Sequence, residues 1–170
     1  MVRGGDKRVG LESSYYNLAV TVVAEGRVEY GVELYQKALE IRPDHVKSWG
    51  GLGSAFSRMG RYGEAVKAFE TAIEMSPKNS HFRYNLGVVL MESGQLALAA
   101  DSYKMASRLN SRDVKARNNL GNVLRVMGDL RGAENAYRQV LALEPRHQRA
   151  ARNLKQVLRQ LGPMELELEK

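Results

Sequence analysis

Residues 46–79 read VKSWGGLGSAFSRMGRYGEAVKAFETAIEMSPKN, and the order of residue types in this stretch decides the fold. Gly60 divides it into two runs of about 14 residues, each with apolar side chains at helical spacing. Glycine ends the first run because it enters the left-handed backbone region without a side-chain clash. Pro77 closes the second, since proline has no amide hydrogen to continue the helical ladder. The stretch is a helical hairpin.

Outward from it, the same punctuation recurs along the chain. Glycines stand at Gly26, Gly60, Gly94, Gly128 and Gly162, each 34 residues from the last. Leu18, Leu52, Leu86, Leu120 and Leu154 keep the same step, as do Asn17, Asn85, Asn119 and Asn153, a series interrupted by Gly51. Pro43, Pro77 and Pro145 close the second helix of their repeats, and Ser111 replaces proline in the third. Helices are expected near 13–25, 28–41, 46–59, 62–75, 80–93, 96–109, 114–127, 130–143 and 148–161, and no strand is required.

Trp49, Leu52, Gly53, Phe56, Ala65, Phe69, Ala72 and Pro77 carry a family pattern, and the chain resembles the tetratricopeptide repeat. Leu86, Gly87, Leu90, Ala99, Tyr103 and Ala106 match it in the third repeat; Leu120, Gly121, Leu124, Ala133, Tyr137 and Pro145 match it in the fourth. The first repeat departs, with Ala19 where glycine is usual and Gly31 where alanine is usual. The resemblance implies an all-α fold, a right-handed superhelical solenoid of four helix-turn-helix repeats and a C-terminal capping helix. Its repeats are expected at 12–45, 46–79, 80–113 and 114–147, with the cap at 148–162. Residues 1–11 read as a flexible lead and 163–170 as a tail.

Gly53, Gly87 and Gly121 fall inside expected helices, where glycine costs about 1 kcal/mol relative to alanine. Close approach of the two helices of a hairpin is the expected offset. Ala65, Ala99 and Ala133 stand opposite, and Phe69, Tyr103 and Tyr137 are expected to fill the space between successive hairpins. Stacking supplies the core that one hairpin lacks. Lys155 takes the position that glycine or alanine holds in earlier repeats, so the last helix reads as a polar-faced cap.

Composition narrows the function classes. With 170 residues and 44% hydrophobic content the chain buries a substantial core. No cysteine is present, which excludes disulfides and thiol chemistry and suits a reducing compartment; the expected location is the cytoplasm. No apolar run approaches the roughly 20 residues of a membrane helix, so a soluble protein without membrane insertion is expected. The +7 net charge is concentrated in residues 112–160, where 11 Lys+Arg face 4 Asp+Glu. His45, His81 and His147 lack metal-site spacing and read as surface histidines, and Gly50, Gly51 and Gly53 fail the dinucleotide pattern because Phe56 replaces its last glycine. No cofactor, metal or catalytic residue is expected, and the chain reads as a non-enzyme.

In a solenoid of this family the first helix of each hairpin lines the concave surface, and the candidate peptide-binding residues follow from that. Asn85, Asn119 and Asn153 form a row whose amides donate and accept as a peptide group does. The row is similar to the asparagine ladder in the repeat arm of O-linked N-acetylglucosamine transferases. Tyr84, Asn118 and Asn122 lie beside it. Lys115, Arg125, Arg149, Arg152 and Arg159 add a basic field suited to an acidic or C-terminal peptide. The carboxylate clamp of some co-chaperones of this family is incomplete, since Tyr84, Val88 and Asn153 stand where lysine, asparagine and arginine belong.

The expected function is therefore a protein-interaction scaffold that binds an extended or acidic peptide in its groove. Self-assembly through the repeat ends, near Tyr15 and Tyr16, is one alternative, and a substrate-recruiting arm of a larger enzyme is another. Nucleic-acid binding through the basic third is disfavoured because Tyr137, its one aromatic residue, belongs to the core pattern.

Overall fold

A computed structural model describes residues 10–162. Among them the chain forms nine helices: α1 Leu11–Ala24, α2 Val28–Ile41, α3 Val46–Arg58, α4 Tyr62–Met75, α5 Ser80–Glu92, α6 Leu96–Leu109, α7 Val114–Val126, α8 Leu130–Leu143 and α9 Gln148–Leu161. The bounds follow the expected ones to within two residues. Leu11, assigned to the lead, is the first residue of α1 and Gly10 is its N-cap; residues 1–9 of the lead and the tail at 163–170 lie outside the described residues.

The 34-residue glycine series marks the turns. Gly26, Gly60, Gly94, Gly128 and Gly162 all have positive φ, between 71° and 90°. Just past four of these glycines the chain reaches back to the helix it has left: Arg27, Arg61, Gln95 and Asp129 donate their amides to the carbonyls of Val22, Phe56, Leu90 and Leu124 at 2.8–2.9 Å. These six-to-one bonds satisfy carbonyls orphaned at a helix end, and they need the glycine's left-handed backbone. The next helices start on side-chain caps where the sequence supplies them. Asp113 Oδ1 accepts from the Ala116 amide at 3.0 Å, and Asp129 Oδ1 accepts from that of Gly132 at 2.8 Å.

The chain divides into two compact units, one ending at Val89 and one beginning at Leu90. In the first, α1 packs on α2, α2 on α3 and α3 on α4. Its core holds Ala19, Leu34, Ala38, Ala55, Ala65, Phe69 and Ala72, all at most 2% exposed. In the second, α6 packs on α7, α7 on α8 and α8 on α9, around Tyr103, Ala116, Val123, Ala133, Tyr137, Val140, Ala150 and Val157. Alanine at the tightest crossings lets the backbones approach, and each unit is a stack of hairpins; the fold class is a helical repeat solenoid.

The packing corrects two expectations. Phe69 and Tyr137 do more than fill space between hairpins: each ring lies on the in-helix glycine of its own hairpin. A Cβ on Gly53 would stand 2.8 Å from the Phe69 ring, and one on Gly121 would stand 2.6 Å from that of Tyr137. In the first repeat the glycine has moved to the opposite helix, where Gly31 meets the Val23 side chain. The close approach is kept and its residues are exchanged.

The cap is also less polar than expected. Ala150 and Val157 of α9 are buried against α8, while Ala151, Leu154 and Leu158 join Leu141 in a groove of about 410 Å³ bordered by Lys155 and Arg159. These apolar residues at i, i+3 and i+7 form a stripe that the charged side chains border without covering.

Candidate functional site

The first helices of the hairpins carry the candidate residues, and α7 and α9 bring several of them together. Asn122 Oδ1 accepts two hydrogen bonds, from the Tyr137 hydroxyl at 2.8 Å and from Asn153 Nδ2 at 2.9 Å. The positively charged Arg125 guanidinium stands beside the same phenol. Burial pushes the Tyr137 pKa up, and Arg125 and Asn153 oppose that shift. Asn153 is thus tied across to α7 through its amide nitrogen, with its carbonyl oxygen outside that contact. Asn122 and Asn153 orient one another, a role the spacing alone did not reveal.

Around this network Asn118 and Asn119 are half-buried, and the Asn118 Oδ1 atom is enclosed. Lys115, Arg149 and Arg152 are exposed cations on α7 and α9. Arg159 lines the leucine groove of the cap. In the first unit, Tyr84 and Asn85 are half-buried on α5. Of the acidic groups nearby, Glu134 is held by Arg131 at 3.1 Å and by Arg138 at 2.8 Å, and so is neutralised within α8.

The break in the asparagine series has a physical cause. At Gly51, where other repeats carry asparagine, a Cβ would stand 2.5 Å from the Tyr35 ring; Phe82 lies equally close on Gly50. A side chain at either position would displace an aromatic ring. Tyr16 packs on Tyr35 with ring centroids 5.9 Å apart and meets His45 edge-on at 5.4 Å, so it is a half-buried member of an aromatic cluster.

Two of the three histidines also differ from expectation. His45 is buried, 8% exposed, with Nδ1 2.7 Å from Ser48 Oγ. Burial, with Arg42 next, lowers its pKa, so it is held neutral. His147 caps α9, its Nδ1 accepting from the Ala150 amide at 3.1 Å. The two lie three periods of 34 apart, both at a helix N-cap, and a comparison by repeat position would have found them. His81 is exposed.

No group of three or more potential metal ligands occurs among the described residues, and no helix there is long and apolar enough to cross a membrane. The family models that match are three descriptions of the tetratricopeptide repeat, over residues 10–78, 51–114 and 114–147. Curated proteins give no sequence match. Among solved structures, YrrB, described as a TPR protein with an unusual peptide-binding site, matches at TM-score 0.77 and 29% identity, over 91% of this chain and 80% of that one. A MamA protein matches at TM-score 0.85 and 20% identity, over 94% and 87%. Pseudomonas aeruginosa pilF matches at 0.78 and 22%, over 90% and 70%. The latter two speak to the fold. With repeat models matching across residues 10–147 and a glycine turn every 34 residues, this chain belongs to the tetratricopeptide repeat family.

Proposed function

We propose that the chain is a non-catalytic scaffold that holds an extended, acidic segment of a partner protein on the first helices of its hairpins. The observation that carries this reading is the pairing, on α7 and α9, of oriented amides at Asn122 and Asn153 with exposed cations at Lys115, Arg149 and Arg152. Amides match the alternating donors and acceptors of an extended backbone, and the cations select carboxylates. Asn119 and Asn118 extend the amide surface, Arg125 buttresses it through Tyr137, and Tyr84 and Asn85 provide the corresponding positions in the first unit. YrrB, the most similar by sequence of the three structures above, is itself described by a peptide-binding site. A cytoplasmic location is part of the same proposal, a chain without cysteine being compatible with a reducing compartment.

Fluorescence anisotropy with labelled acidic and neutral peptides of equal length tests this. The acidic peptide binds more tightly to the parent chain, Arg149→Glu with Arg152→Glu removes the preference, and Asn85→Ala with Asn119→Ala and Asn153→Ala weakens both peptides at unchanged helical circular dichroism. Equal affinity of the parent for both peptides refutes the acidic preference. An unaltered affinity in the asparagine variant refutes the amide surface.

A further inference from the structure

The first unit carries a cavity of about 370 Å³ on the face formed by α1, α3 and α5, some distance in sequence from the candidate residues of α7 and α9. Its apolar part is built from three rings. Gly50 and Gly51 let Phe82 and Tyr35 lie flush on the α3 backbone, which spreads their rings across the floor. Tyr16 forms a wall and is fixed from behind by His45, which is itself bonded to Ser48. Burial and the neighbouring Tyr16 raise the Tyr35 pKa to about 12, so its phenol is neutral at physiological pH. Polar groups stand around the rings: Lys47, His81 and Asn85 line the same cavity.

A cluster of aromatic rings is a place for an apolar side chain or for a cation. The charges decide between them. Among the described residues lining the cavity none is acidic, while Lys47 brings a full positive charge and His81 an imidazole. A cationic ligand would meet repulsion there and no counter-charge. An apolar or aromatic group flanked by carboxylates would place its hydrocarbon on the rings and its charges at the rim.

We propose that this cavity is a recognition site for one apolar or aromatic side chain of a partner polypeptide flanked by acidic residues. The proposal rests on the scaffold reading above and gives it an anchor of defined chemistry. The rigid ring floor is already in place, so little ordering accompanies binding, and specificity comes from the shape of the inserted side chain.

Amide chemical-shift mapping on the whole chain tests it, using blocked pentapeptides with the cores Asp-Phe-Asp, Asp-Ala-Asp and Lys-Phe-Lys. The Asp-Phe-Asp peptide shifts the Gly50 and Gly51 amides saturably; Asp-Ala-Asp binds there about tenfold more weakly or worse, for loss of the buried ring. Lys-Phe-Lys leaves those amides unmoved. Ser54 is exposed at the cavity edge, and Ser54→Phe fills the site and removes the Gly50 and Gly51 shifts. Absence of saturable shifts at Gly50 and Gly51 with millimolar Asp-Phe-Asp, or their persistence in Ser54→Phe, overturns the proposal. Shifts on α7 and α9 read the scaffold surface separately: if these occur while Gly50 and Gly51 stay fixed, the cavity proposal fails and the scaffold reading stands.

Discussion

Replacing Gly121 by alanine sets two effects of opposite sign against each other. Inside a helix, alanine is better than glycine by about 1 kcal/mol, so propensity alone predicts stabilisation. The new Cβ, however, would stand 2.6 Å from Cε1 of Tyr137 and 2.9 Å from Cδ1 and Cζ. Carbon atoms rest at about 3.5–4.0 Å, so the ring has to retreat by roughly 1 Å. It has nowhere to go: Tyr137 is 0% exposed and enclosed in a cluster with Ala133, Val140, Ala150 and Val157. Overpacking of this kind costs about 1–3 kcal/mol, and a shifted hydroxyl weakens the bond to Asn122, about 1 kcal/mol more. The net expectation is destabilisation by about 1–3 kcal/mol. Gly63→Ala is the control, because a Cβ there meets nothing within 4 Å and φ is not positive; it stabilises by up to about 1 kcal/mol. Urea unfolding followed by circular dichroism reads both, with the slopes compared because repeat arrays depart from two-state behaviour. Removing the ring with Tyr137→Leu should abolish the cost of Gly121→Ala in a double-mutant cycle. A Gly121→Ala chain as stable as the parent would mean that the ring contact is not what keeps glycine inside these helices.

Gly60→Ala, at φ 71°, destabilises by about 1 kcal/mol for the opposite reason, a strained backbone with open space around it; the same urea melts measure it. Asn122→Ala removes the acceptor of both Tyr137 and Asn153 and lowers stability by about 1–3 kcal/mol, read as a lower urea midpoint. His45 has a lowered pKa in the folded chain, so its contribution is fully present above its unfolded value of 6.5 and is lost as pH falls through the folded value. Titration of the His45 ring signals by NMR places the midpoint below 6.5, and a midpoint at or above 6.5 contradicts its burial.

Much of this fold was readable because one kind of residue does one physical job at a fixed interval. A left-handed turn tolerates glycine far better than other residues, so Gly26, Gly60, Gly94, Gly128 and Gly162 expose the hairpins without any knowledge of contacts. Helix ends followed to within two residues for the same reason. What the period does not carry is the partner of each side chain. His45 looked like a surface residue because its burial depends on Tyr16, 29 positions away, and on Ser48. Gly51 looked like a defect in the asparagine series until Tyr35 was seen to lie on it. Asn153 looked like a free amide, and its bond to Asn122 spans 31 residues between two helices. These features depend on the meeting of neighbouring hairpins, where repeat positions say which residues are near and geometry says which of them touch.

On the scaffold reading proposed above, the first helices of the hairpins receive another polypeptide. Peptides selected on the whole chain from a random display library, remade with a benzoyl-phenylalanine at their centre and photo-crosslinked, locate that surface by mass spectrometry of the adducts. Adducts are expected on α1, α3, α5, α7 or α9. Adducts confined to the second helices α4, α6 and α8, or a selection that enriches no peptide, would contradict that reading.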